Sequence, residues 1–282
     1  MNTQKVWFIT GASRGLGLEI TKAVLAAGDK VTAAVRRNPE TLAAQFGAEN
    51  LLVVALDVTR EEQARAAVTQ ALDRFGRIDV LVNNAGYGIL SAVEEASDQE
   101  IRQNYDTNVF GLLNVTRAVL PVLRAQRSGR IINITSVGGL TGSAGWGLYG
   151  STKFAVEGIT EALAKELAPL GIYATAVEPG YFRTDFLDRQ SLSRAGNVIE
   201  DYDETVGQMR RRATEVNQKQ PGDPRKLAAA LIRVVDSPRP PLHLPLGKDS
   251  LNAYRAKTAL FEQDIEAWFD VITGTDHDVQ QG

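Results

Sequence analysis

Lys5-Val6-Trp7-Phe8-Ile9-Thr10-Gly11-Ala12-Ser13-Arg14-Gly15-Leu16-Gly17 is the stretch that decides the fold. Its first half is an apolar run that reads as a buried strand, and its second half is a glycine-rich turn. Leu18, Ile20, Val24 and Leu25 then recur at helical spacing. Glycines let the backbone turn sharply and approach a pyrophosphate, while a helix N-terminus offers free N–H groups and the positive end of its dipole. A lone glycine cluster makes an ordinary loop; strand, turn and helix in register point to a dinucleotide. Gly11, Ser13, Arg14, Gly15, Leu16 and Gly17 are therefore candidate cofactor contacts.

The same alternation continues along the chain. Strands are expected at Lys30–Arg36, Leu51–Leu56, Ile78–Val82, within Arg130–Gly139 and at Ile172–Val177, with a helix over Glu61–Phe75. Strands alternating with helices predict an α/β fold with a doubly wound parallel sheet between two helical layers, in one domain spanning 1–282. A fold of this kind selective for NAD places Asp or Glu about 20 residues beyond the glycines. Here the second strand ends Val35-Arg36-Arg37, with no carboxylate before Glu40. Arg14, Arg36 and Arg37 instead suit a 2′-phosphate, so the expected cofactor is NADP(H).

Tyr149-Gly150-Ser151-Thr152-Lys153 places a phenol and an ammonium on one helix face. A phenol titrates near 10 and protonates a carbonyl oxygen poorly unless a neighbouring cation brings its pKa down, which is the role expected of Lys153. Ser136 lies thirteen residues before Tyr149, at the end of an apolar run. Its hydroxyl is placed to hydrogen-bond a substrate carbonyl while the phenol protonates it.

With Asn108 upstream, these residues resemble the catalytic tetrad of the short-chain dehydrogenase/reductase family, over roughly Gln4 to Asp185. The resemblance implies a Rossmann-like sheet of order 3-2-1-4-5-6-7, and Asn108, Ser136, Tyr149 and Lys153 as catalytic residues. It implies that Asp57, followed by Val58, binds the adenine amino group, although Asp57 also suits a cap for the helix that follows. Asn84, Ala85 and Gly86 would line the adenine ribose, Pro179, Gly180 and Phe182 would pack near the nicotinamide, and Thr184 would hold its carboxamide. Trp146 and Tyr181 are expected beside Ser136 and Tyr149 in the substrate pocket. Segment 186–222 is the expected substrate lid, with the Arg cluster in MRRRATEVNQKQ solvated, and 246–282 the C-terminal helical extension. In the family two such long helices form the dimer interface, so the resemblance implies a homodimer through the helices carrying Asn108 and Tyr149, with Gly150, Ser151, Ala155 and Gly158 permitting close approach of another helix.

The 282 residues carry a net charge of −3, which gives no electrostatic footprint for nucleic acid or an anionic membrane. There is no Cys and only two His, His243 and His277, so disulfides, a thiolate nucleophile and a metal site are not expected. MNTQKVWFITG runs straight into a strand, and a cytoplasmic enzyme is expected. The reading is an NADPH-dependent carbonyl reductase of a bulky hydrophobic ketone or aldehyde. Two rivals stay open: an NADP-dependent alcohol dehydrogenase acting on a steroid, retinoid or secondary alcohol, and a non-catalytic nicotinamide-binding regulatory protein.

Overall fold

Alternate residues of the first strand, β1 (Val6–Thr10), serve opposite faces of the sheet. Trp7 and Ile9 join one hydrophobic cluster and Phe8 the other, which is what a sheet covered on both sides requires. In the computed structural model, describing residues 4–47, 49–188 and 191–277, that sheet has seven strands. After β1 come α1 (Gly15–Ala26), β2 (Lys30–Val35), α2 (Pro39–Ala43), β3 (Leu51–Ala55), α3 (Glu61–Phe75), β4 (Val80–Asn83) and a short β5 (Gly88–Leu90). Then follow α4 (Asp98–Tyr105), α5 (Gly111–Gln126), β6 (Gly129–Ile134), α6 (Gly147–Leu167), β7 (Ile172–Pro179) and a short β8 (Leu192–Arg194). The chain ends in α7 (Gln208–Val216), α8 (Pro224–Asp236), β9 (His243–Leu246), α9 (Lys248–Ala267) and α10 (Phe269–Thr273).

Every pairing in the main sheet is parallel, in the order β3-β2-β1-β4-β6-β7-β9. With β5 and β8 set aside as a separate two-stranded pair, this is the expected 3-2-1-4-5-6-7. α1 and α8 cover one face through Ile20, Val24, Leu227 and Leu231. α3, α5 and α6 cover the other through Ala67, Val115, Val119 and Leu163. Strand order reverses between β1 and β4, and the crevice at the carboxyl ends of the strands there is where such sheets bind ligands. Buried amides brace this point: Asn83 Nδ2 donates to Thr116 Oγ1 and Asn133 Oδ1, both at 2.9 Å.

Several local expectations change. The N-cap of α3 is Arg60, without a side-chain bond; Asp57 instead accepts from the Thr59 amide and hydroxyl. The terminal helix breaks at Trp268, dividing α9 from α10. A side chain at Gly150 would meet the Gly138 carbonyl at 2.9 Å, so this glycine brings α6 against the turn after β6, whereas Gly158 faces open space. Expected features at residues 1–3, 189–190 and 278–282 lie outside the described residues. No helix among those described is long and apolar enough to cross a membrane.

Candidate active site

The loops at the carboxyl ends of β1, β2, β4, β6 and β7 open into one cleft of about 1420 Å³. At one end, Gly11 and Gly15 hold φ of +64° and +53°, a region open to glycine at little cost. A side chain at Gly17 would collide with the Gly11 carbonyl, so Gly17 supports the turn from behind. Arg14, the N-cap of α1, makes no side-chain cap bond, and the helix's first residues, Gly15 and Leu16, line the cleft. Ser13, Arg14, Leu16, Arg36, Arg37, Asp57 and Val58 line the same end. Arg36 and Arg37 are exposed and have no ion-pair partner among the described residues. Asn84 donates from Nδ2 to the carbonyls of Thr10 (2.9 Å) and Gly11 (3.1 Å), fixing the floor beside Ala85 and Gly86. A glycine-lined cradle, an uncapped helix start and the exposed guanidinium groups of Arg36 and Arg37 fit a phosphate-bearing dinucleotide.

At the other end, β6 delivers Ser136 and α6 delivers Tyr149 and Lys153. Ser136 has extended backbone, and its Oγ accepts from the Gly138 amide at 3.0 Å. Burial pushes the Tyr149 phenol above the ordinary tyrosine range, opposed by a hydrogen bond with Ser136. The expected lowering by Lys153 is therefore overridden: desolvation disfavours the phenolate more than its surroundings stabilise it. Lys153 lies with Nζ 5.7 Å from the Tyr149 ring centroid and donates to the Ile134 carbonyl at 2.9 Å. Burial lowers its pKa to about 8, partly offset by Glu157.

Asn108 sits behind this wall in a π-helical turn, Asp106–Phe110, where the sequence placed it on a continuous helix. Its Oδ1 accepts from the Tyr87 amide at 3.1 Å, and its Nδ2 donates to the Tyr87 carbonyl (3.0 Å) and the Thr152 hydroxyl (3.1 Å). A side chain at Gly86 would meet Asn108 Oδ1 at 3.0 Å and Lys153 Nζ at 3.7 Å, so the glycine keeps this corner open.

Trp146, Tyr181, Pro179, Gly180, Phe182 and Thr184 also line the cleft. Phe186, which the sequence did not single out, stacks on Trp146 at 6.5 Å and tilts against Tyr149 at 5.5 Å. The available signal was its place two residues after Thr184, at the start of the segment expected to be the lid. The Arg cluster is only partly solvated: Arg210 pairs with the buried Glu95, whereas Arg211 pairs with Asp203 in the open. The arrangement can deliver a proton to an oxygen held at Ser136, beside an apolar aromatic wall.

Residues 5–194 match the family model for short chain dehydrogenases. The chain is 40% identical over 267 residues to oxidoreductase BOA17 of Botryotinia fuckeliana, covering 94% of this chain and 96% of that protein. It is 39% identical over 246 residues to 3-ketodihydrosphingosine reductase of Bacteroides thetaiotaomicron, covering 86% and 88%. Among solved structures, a short-chain dehydrogenase from Streptomyces avermitilis superposes with a TM-score of 0.90 at 39% identity, over 98% of this chain and 100% of the other. ElxO with NADP bound superposes at 0.72 with 28% identity, over 86% and 96%.

Proposed function

The chain belongs to the short-chain dehydrogenase family and is an oxidoreductase that uses a nicotinamide cofactor; from that premise we propose that it is an NADPH-dependent reductase of bulky apolar ketones or aldehydes. The observation that carries the reading is the contact between Ser136 and Tyr149 at the cleft wall, with Lys153 directly behind the phenol. A bound reduced nicotinamide would supply the hydride. Ser136 positions the substrate oxygen and stabilises its developing charge, Tyr149 donates the proton, and Lys153 offsets the phenolate charge left behind. Asn108 holds the corner beside Lys153 through Tyr87 and Thr152.

The choice of NADPH is supported by Arg14, Arg36 and Arg37 around the far end of the cleft, with no carboxylate at the end of β2. The choice of a bulky apolar carbonyl is supported by the wall of Trp146, Phe186 and Leu187, and by the likeness to a 3-ketodihydrosphingosine reductase. A homodimer through α5 and α6 is part of the same reading, supported by the exposure of Phe110, at the end of the π-helical turn before α5, and of Phe154 on α6.

The test is consumption of NADPH and NADH, in parallel, over ketones and aldehydes of increasing apolar bulk. NADPH turnover that rises with bulk and falls about 10²–10⁴-fold in Tyr149→Phe is the expected result. Tight cofactor binding without turnover on any carbonyl or alcohol would leave the regulatory reading in its place.

A further inference from the structure

One turn of α6 beyond Lys153, on the side away from the cleft, three groups from three elements meet at the edge of the sheet. They are Glu157 of α6, Glu178 of β7 and His243, the first residue of β9. The β7–β9 register pairs Ala176 with His243 and Glu178 with Pro245, so Glu178 and His243 share the sheet face toward α6. His243 Nδ1 lies 2.9 Å from Glu178 Oε1 and 3.4 Å from Glu157 Oε2. One ligand atom from each of the three falls within 4.8 Å of the others.

Both carboxyl groups are buried, Glu157 at 6% and Glu178 at 0% exposure. Neither oxygen of Glu157, nor Oε2 of Glu178, has a hydrogen-bond partner among the described residues. The neighbouring Thr135 hydroxyl donates to the Val177 carbonyl at 2.9 Å instead. Across the imidazole, Nε2 faces Glu161 Oε1 at 3.5 Å. In the neutral imidazole the two carboxyl groups facing Nδ1 favour its proton there, donated to Glu178; a cation that takes the Nδ1 lone pair moves that proton to Nε2, where Glu161 accepts it. Two buried carboxyl groups thus share a single donor, and three of their oxygens have no partner among the described residues, an arrangement that a positive ion satisfies.

We propose that Glu157, Glu178 and His243 form a binding site for a divalent first-row transition cation, with Zn²⁺ the best-matched ion. Tetrahedral Zn²⁺ takes nitrogen and oxygen ligands at about 2.0–2.2 Å, which sets ligand atoms about 3.4 Å apart. The two measured separations from Nδ1, 2.9 and 3.4 Å, lie close to that edge. Two carboxylates and an imidazole are hard-to-borderline ligands suited to Zn²⁺ or Mn²⁺. The His243 side chain is 37% exposed, which gives the ion a path in and leaves a position for water. The expectation of no metal chemistry counted two distant histidines; carboxylates brought in by β7 and α6 complete the set. Bound there, the ion ties α6, which carries Tyr149 and Lys153, to the last two strands of the sheet.

The test uses the full chain stripped with a chelator and titrated with Zn²⁺, and separately Mn²⁺, against a chromophoric competitor. Glu157→Gln and His243→Asn are run beside it after circular dichroism has shown them folded. The expected result is one ion per chain, at least 10-fold weaker in each variant. The melting midpoint of the unaltered chain should rise by about 5 °C or more at a hundredfold excess over Kd, and not in the variants. Binding of Mn²⁺ in place of Zn²⁺ with the same dependence on both residues upholds the site. Equal metal retention in all three proteins overturns it. So does absence of binding in the unaltered chain combined with a raised midpoint in metal-free Glu157→Gln, which would mean that the two carboxyl groups merely share a proton.

Discussion

Asn108 donates from Nδ2 to the hydroxyl of Thr152 at 3.1 Å, bonding the π-helical turn before α5 to the residue immediately ahead of Lys153. The same amide holds both backbone groups of Tyr87. Extra-residue turns of this kind recur at functional sites because they re-aim one side chain without ending the helix.

Asn108→Ala should therefore act on both stability and catalysis. It leaves the Tyr87 amide without its hydrogen-bond partner, at a cost of about 1–3 kcal/mol. For a chain of this size the melting midpoint should fall by about 2–5 °C. NADPH turnover should lose kcat by a larger factor than KM rises, because the substrate does not touch Asn108. A midpoint change without any kcat change would show that the turn only braces the fold.

The titration of Lys153 gives a pH signature. Burial holds its pKa near 8, against an ordinary value of 10.5, so between these pH values the unfolded chain holds more protons than the folded one. Stability from this group then rises with pH from about 8 toward 10, by at most about 2–3 kcal/mol. Above about 10 the Tyr149 phenol, held protonated by burial, opposes it, because only the unfolded chain then releases that proton. Denaturant unfolding across pH 7–10 should show the rise in the unaltered chain and a flattened profile in Lys153→Met. Carbonyl reduction should fall with pH through about 8 as the ammonium discharges, and Lys153→Arg should remove that limb.

The parts of this protein legible in its sequence are those set by neighbours along the chain. The β1 turn, helix Glu61–Phe75 and the Tyr149–Lys153 pair depend on spacings of four residues or on strand alternation, and the structure places them as read. What stayed hidden depends on pairings between distant segments. Glu157 and His243 are brought together only when β9 pairs with β7. Phe186 becomes a wall because the chain after β7 folds back over Trp146. Asp57 carried signals for two roles, and the Thr59 contacts decided against the cap. Asn108 read as a position beside the apolar stripe of a continuous helix, since nothing local announces an added residue in a helical turn.

Arg36→Asp tests the cofactor end. A guanidinium on a phosphate is a charge-assisted contact, and removing one costs about 1.5–3 kcal/mol. KM for NADPH should rise about 10–100-fold with kcat changed little, while NADH becomes the better cofactor. An unchanged ratio of NADPH to NADH efficiency would place the discriminating contact elsewhere, and Arg14→Ala and Arg37→Ala, measured the same way, would locate it.

One buried carboxylate, Glu95, ties down the segment expected to be the substrate lid. Glu95 accepts from the amides of Ala92 at 2.7 Å and Ile199 at 3.0 Å and pairs with Arg210 of α7, so a single side chain joins the segment after β5 to two points of the lid. The pair is well shielded, with side-chain exposures of 0% for Glu95 and 15% for Arg210. Removing one partner of such a pair leaves a buried charge short of its counter-ion, which costs more than the loss of a surface bridge. The two backbone donors remain, so the loss should fall on the lid and leave the sheet intact. Arg210→Ala should speed amide hydrogen exchange across 199–216 by about 10-fold or more while β1 and β4 keep their protection. NADPH affinity should hold, KM for bulky carbonyls should rise, and kcat should rise with it if lid opening limits turnover. Exchange that quickens equally in the central strands would mean that Glu95 and Arg210 support the whole domain and are not a latch on the lid.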